Sequence, residues 1–172
     1  AEREVAADQA LRNMGFGDYL PALFNNDDEG YSVSEKVDGE HARMSTPAGA
    51  DAVDEDEFKD FAAATMLIGN SDLHGDNWVV QDDGSFAAID LNKSGGDFST
   101  GGEFRRRGRD MVLNVADTLG IDFDADELTE RAGELARDAD VDDVLSGVEN
   151  SGISDSARHQ YRENMRANME AF

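Results

Sequence analysis

Residues 68–92 read IGNSDLHGDNWVVQDDGSFAAIDLN, and the fold turns on this stretch. Asp72, His74 and Asn77 fall in a short polar loop. An apolar run, Trp78 to Val80, follows it. Gln81-Asp82-Asp83-Gly84 breaks that run, and a second one, Phe86 to Ile89, ends at Asp90. Two short runs of strand-forming residues around an Asp-Gly turn predict a β-hairpin. Such a hairpin returns Asp90 to the side of Asn77. Upstream, residues 54–68 predict a helix. Asp54, Glu55 and Asp56 gather near its N-terminus, and Phe58, Phe61, Thr65 and Ile68 recur along one face. Gly69-Asn70 ends it.

Working outward, residues 2–14 predict a helix with Val5, Ala6, Ala10 and Met14 on one face, stopped by Gly15 and Gly17. Residues 20–24 and 31–37 predict a hairpin around the turn Asn25 to Gly30, and Asp38-Gly39 ends it. Residues 44–53 are small and loop-like, and 92–102 form a glycine-rich loop. Four helices are expected after it. Phe104, Met111, Val115 and Leu119 share a face in the first; Leu128, Ala132 and Leu135 mark the second. Val141, Val144, Leu145 and Val148 mark the third. Ser154 or Asp155 caps the last, where Tyr161, Met165, Met169 and Phe172 line up. No internal repeat is present. The order predicts an α+β chain, mostly helical.

A length of 172 residues suits one domain with a real core. The absence of cysteine excludes disulfides, thiolate metal sites and a thiol nucleophile. No apolar run approaches the ~20 residues of a membrane-spanning helix, so no membrane is expected. The opening AEREVAADQA is charged and unlike a signal peptide. It also lacks an initiator Met, from which a processed, trimmed or excised chain is expected. Asp and Glu total 39 against 15 Lys and Arg, a net charge of −24. Asp (25) outnumbers Glu (14), and Arg (12) outnumbers Lys (3). Such a chain repels itself in dilute buffer, and the repulsion fades near 1 M salt, where the Debye length is about 3 Å. The acids are scattered rather than gathered in a tail. That favours the surface of an extreme halophile over an acidic interaction protein. The same charge disfavours nucleic acid and anionic lipid as partners.

The chemistry lies in the opening stretch. Asn77 and Asp90, side by side, offer two oxygen ligands to a hard cation such as Mg²⁺, whose shell is completed by phosphate and water. Asp72, five residues before Asn77, can face an acceptor hydroxyl as base. Phosphoryl transfer needs this division of labour. The pattern Asp-x-His-x-x-Asn, followed by a hairpin and Ile89-Asp90-Leu91, resembles the catalytic loop and metal-binding aspartate of kinase-like phosphotransferases. The nearest patterns are those of aminoglycoside and choline phosphotransferases, HipA-type kinases and phosphatidylinositol kinases. The resemblance implies Asp72 as catalytic base, His74 as the structural histidine of the loop, and Asn77 and Asp90 as metal ligands. Residues 31–39 resemble the strand and hinge entering the ATP cleft, so the backbone of Glu35, Lys36 and Val37 would meet adenine. Glu2 or Glu4 would be the ion-pairing glutamate of helix C. The implied organisation is a remnant of the N-terminal lobe over 1–40 and a helical C-terminal lobe over 41–172, together one compact domain. The implied cofactors are Mg²⁺ and ATP, and the implied partner is a hydroxyl acceptor.

The chain departs from that family in one respect. It shows no glycine-rich phosphate loop before the helix C-like segment, and its lysines, Lys36, Lys59 and Lys93, all lie downstream of where the phosphate-binding Lys belongs. Two expectations stand side by side, the first favoured by the intact Asp72, Asn77 and Asp90, the second by the missing phosphate loop and the non-Met start. One is an active enzyme in the cytoplasm of a high-salt cell. The other is a degenerate kinase-like module with a structural or binding role in a larger assembly, for instance a virion protein of a virus of halophiles. Other features read as structural. His41 and His159 belong to the surface, Trp78 to the core, and Phe98 to a loop anchor. Asp82-Asp83-Gly84 is a turn rather than a calcium loop, and Asp76 is not expected to ligate. The cluster Arg105, Arg106, Arg107 and Arg109 either binds an acidic or phosphorylated partner or pairs with nearby acids at a helix start, and the second is favoured.

Overall fold

A computed structural model describes residues 2–26, 31–43, 46–149 and 153–172. The first element is helix α1 (Glu2–Asn13), which buries Val5, Ala6, Ala10 and Leu11. Strands β1 (Leu23–Asn26) and β2 (Tyr31–Ser34) pair antiparallel, with Leu23 opposite Ser34 and Asn26 opposite Tyr31. The pairing starts two residues beyond Pro21, which has no N–H for a ladder. The Pro21 carbonyl instead accepts from Arg12 Nη2 at 2.9 Å, and Arg12 also grips buried Asp8 at 2.8 Å. The expected strand to Val37 stops at Ser34, although the Glu35 N–H still reaches the Ala22 carbonyl at 2.7 Å. Residues 27–30 of the expected turn, and 44–45 of the expected loop, lie outside the described residues.

A second sheet holds the decisive hairpin. Strands β4 (Trp78–Val80) and β5 (Phe86–Ala88) pair antiparallel, Trp78 opposite Ala88 and Val80 opposite Phe86. A further strand, β3 (Glu40–His41), adds to β4 with Glu40 opposite Val80. Local sequence does not signal it, because two residues show no alternation. Gly39 makes the approach possible: a Cβ there would lie 2.6 Å from the Val80 carbonyl oxygen. All of β4 and β5 is buried.

Helix α2 (Glu55–Leu67) runs through the centre. Asp54 caps it, its carboxylate accepting from the Glu57 N–H at 3.0 Å, and three acids occupy the first turn. Every residue from Phe61 to Ile68 is buried, as expected of a helix enclosed on all sides. Phe58 and Phe61 pack on Trp78, with centroids 5.0 and 5.5 Å apart, so the helix and the hairpin share one aromatic core. The remaining helices are α3 (Glu103–Thr118), α4 (Ala125–Asp138), α5 (Val141–Glu149) and α6 (Asp155–Ala171). Helix α1 packs on α5 and α6, and α4 packs on α2. Asp124 and Ser154 cap α4 and α6 through their side chains. The inner face of α3 is Gly108, Val112, Val115 and Ala116. Val115 and Leu119 lie on the expected face, but Phe104 is 65% exposed, in a first turn where Glu103 and Arg106 are exposed as well. No helix among the described residues is long and apolar enough to cross a membrane. The chain is thus α+β and mostly helical, with short antiparallel strands.

Candidate active site

Helix α2 ends at Leu67, and Gly69, at φ 64, turns the chain into the polar loop. Asn70 is fully buried and organises the loop beyond it. Its Oδ1 accepts from the Asp72 N–H at 2.9 Å, and its Nδ2 donates to Ser94 Oγ at 3.2 Å. Asn77 grips the same residue from the other side, its Nδ2 donating to the Asp72 carbonyl at 2.8 Å. Leu73 between them is fully buried, and its carbonyl accepts from Trp78 Nε1 at 3.1 Å. A buried apolar plug and two asparagines therefore fix the backbone that carries Asp72.

His74 organises its own loop. Its Nδ1 accepts from the Asp76 N–H at 3.2 Å and caps the single turn Gly75–Asn77. His41 Nδ1 lies 2.7 Å from the Asp76 carbonyl, and Arg43 pairs with the Asp76 carboxylate at 3.1 Å. Asp76 is thereby spent on loop contacts. A Cβ on Gly75 would collide with the Ala42 carbonyl, so β3 and the loop meet at backbone distance.

The hairpin brings the backbones of Asn77 and Asp90, the two expected metal ligands, close to each other. The Ile89 N–H donates to the Asn77 carbonyl at 2.8 Å, one step beyond the last strand pair, so Asp90 follows immediately beside Asn77. Asn77 is buried and Asp90 is exposed. Asp90 has φ 57, the only positive φ on a non-glycine among the described residues. An amide oxygen and a carboxylate suit Mg²⁺. Among the described residues no three His, Asp or Glu side chains converge as a metal site, so a cation here would rest on two protein oxygens, phosphate and water.

The expected hinge follows Ser34, which lines one groove with Asp90. Glu35 and Lys36 are exposed, and Lys36 faces Asp38 at 3.6 Å with both side chains in solvent. The groove between α1, the β1–β2 hairpin and Asp90 encloses about 20 Å³, room for a water rather than an adenine. Glu2, one of the two candidates for the helix C glutamate, accepts from the Ser154 N–H and hydroxyl at the start of α6.

Sequence spacing does not reveal Arg107. It lies on α3, 35 residues from Asp72, and its Nη2 donates to Asp72 Oδ1 at 2.8 Å. Of its neighbours, Arg109 pairs with Asp110 at 2.8 Å, and Arg105 stacks on the Phe172 ring at 3.9 Å. Arg105 also loses some of its proton affinity to burial and to Arg109. Asn168, fully buried on α6, is equally silent in sequence. Its amide donates to the carbonyls of Leu67 (3.1 Å) and Gly96 (3.0 Å) and accepts from the Phe98 N–H (2.6 Å). That clamp holds the glycine-rich loop against the end of α2 and anchors Phe98, which is fully buried. Comparisons with protein-family models, curated protein sequences and solved structures found no match.

Proposed function

We propose that this chain is a kinase-like phosphotransferase that uses ATP and Mg²⁺. The observation that carries the reading is the linkage of its three key residues. Asn77 donates to the Asp72 carbonyl and accepts, through its own carbonyl, from Ile89, the residue before Asp90. One asparagine thus ties the proposed base to the proposed metal pair. Asp72 orients the acceptor hydroxyl and takes its proton; Asn77 and Asp90 hold the cation. Mg²⁺ when bound supplies charge neutralisation on the transferring phosphates, and positioning does most of the rest. His74 keeps the loop in shape. The assignment of Glu35, Lys36 and Val37 to adenine rests on sequence resemblance alone.

A second reading is favoured by two observations. The groove beside Asp90 is nearly filled, and the Asp72 carboxylate is already engaged by Arg107. Both suit a degenerate kinase-like module serving as a structural or binding component of a larger assembly.

Thermal unfolding in multimolar KCl separates the two. The protein alone, with Mg²⁺, and with Mg²⁺ plus ATP are compared, beside Asp90→Asn. A ligand selective for the folded state adds about 2.7 kcal/mol at a hundredfold excess over its Kd. The enzyme reading predicts a shift that needs both Mg²⁺ and ATP and disappears in Asp90→Asn. No shift in the wild type removes that reading in favour of the second.

A further inference from the structure

We propose that Arg107 makes this site selective for an acceptor that carries its own anionic group, a phosphate or carboxylate near the reacting hydroxyl. The inference rests on the phosphotransferase reading above and names its substrate class. Its starting point is redundancy. The Asp72 backbone is held on both sides by Asn70 and Asn77, so Arg107 is not needed to place that backbone. What Arg107 does is occupy one oxygen of the carboxylate. The guanidinium is the more open partner: its side chain is 54% exposed, against 24% for Asp72. An incoming anion therefore meets Arg107 from solvent.

The exchange is chemically even. An anion on the acceptor replaces Asp72 as the partner of the guanidinium, and a charge-assisted bond is kept. A neutral acceptor offers no such replacement and leaves the base engaged. With the carboxylate released, the acceptor oxygen bonds to the γ-phosphorus and its proton passes to Asp72. The bond from that phosphorus to the bridging oxygen breaks, and ADP leaves with the electron pair. The wider field points the same way. A net charge of −24 repels anions from most of the surface, whereas residues 105–109 hold four arginines. Lys93 adds a further cation at the same loop: its carbonyl accepts from the Ser71 N–H at 3.4 Å, and its exposed ammonium has no carboxylate partner among the described residues.

The test uses glycerol 3-phosphate and glycerol as paired probes, at the lowest KCl that keeps the chain folded. Binding is followed by NMR and turnover by ADP release, in the wild type, Arg107→Gln and Arg107→Lys, with thermal unfolding confirming that each variant folds. The wild type is expected to favour glycerol 3-phosphate by about tenfold or more in kcat/KM, the worth of one charge-assisted hydrogen bond. Arg107→Gln loses that preference and the binding of glycerol 3-phosphate while keeping its KM for ATP; Arg107→Lys retains part of both. Equal use of the two probes, use of neither, or binding that survives in Arg107→Gln overturns the proposal. Arg107-dependent binding in a protein that shows no Mg²⁺–ATP stabilisation overturns the acceptor role by removing the reaction itself, and the missing stabilisation identifies which reading failed.

Discussion

Asp90 concentrates the conflict between folding and chemistry in a single residue. Its left-handed backbone is one that a side chain makes costly, by about 1–2 kcal/mol for most residues and less for Asp. The local return is one long bond of 3.4 Å from the Asn92 N–H to its carboxylate. That local bond is the means by which Asp, better than most residues, tolerates this region. In Asp90→Gly the relief of that cost is offset by glycine's larger unfolded-state entropy, so stability is expected to stay within about 1 kcal/mol of the wild type in denaturant unfolding while any Mg²⁺–ATP stabilisation is abolished. A loss well beyond about 1 kcal/mol would give the carboxylate a structural role instead. At this scale the candidate site was half legible. Asp72, Asn77 and Asp90 are spaced closely enough for their loop and hairpin to announce the grouping. Arg107 and Asn168 act from 35 and 70 residues away, on Asp72 and Phe98, and nothing in their local sequence says where they reach.

Among the elements, the contact of α2 with α4 is the most heavily charged. Arg131 of α4 reaches Asp56 and Asp60 of α2, each at 2.7 Å, and Glu127 on its own helix at 3.1 Å. Lys59, buried, joins Glu127 at 3.1 Å and lies 5.5 Å from the Phe123 ring centre. The Arg131 guanidinium holds the Asp56 carboxyl below its ordinary value of 3.8. The sign comes from linkage: a depressed folded value contributes stability at pH above 3.8, which is lost as pH falls through the lower folded value. Arg131→Gln is expected to lower the unfolding midpoint at neutral pH and to flatten its fall on acidification. Asp83, held low by the Ser85 N–H and hydroxyl, keeps its share of the slope in that variant. Urea midpoints from pH 7 to pH 3 decide it, and an unchanged acid slope would mean that Asp56 is not coupled to folding. Helices α1, α2, α4, α5 and α6 follow their sequence spacing closely. Strand β3 exists only because β4 offers it an edge.

Over the whole molecule, charge sets the conditions. The excess of 39 acids over 15 bases exceeds what pairing can neutralise, even with Arg131 serving three carboxylates. Repulsion reaches about 30 Å at 0.01 M salt and about 3 Å at 1 M. The unfolding temperature is expected to climb steadily from 10 mM to molar KCl, and a flat or falling curve would sink the halophilic reading. Sequence alone determined the faces of most helices, though not the start of α3, and with them the hairpin from Trp78 to Ile89, the charge and the residue types available for chemistry, because periodicity, turn preference and composition are local or additive properties. Only the tertiary structure decided that Arg107 sits on Asp72, that Asn168 clamps the glycine-rich loop, that β3 joins β4 and that the groove beside Asp90 is nearly filled. Those are meetings of segments distant along the chain, and they exist only once the shared core around α2 has brought the segments together.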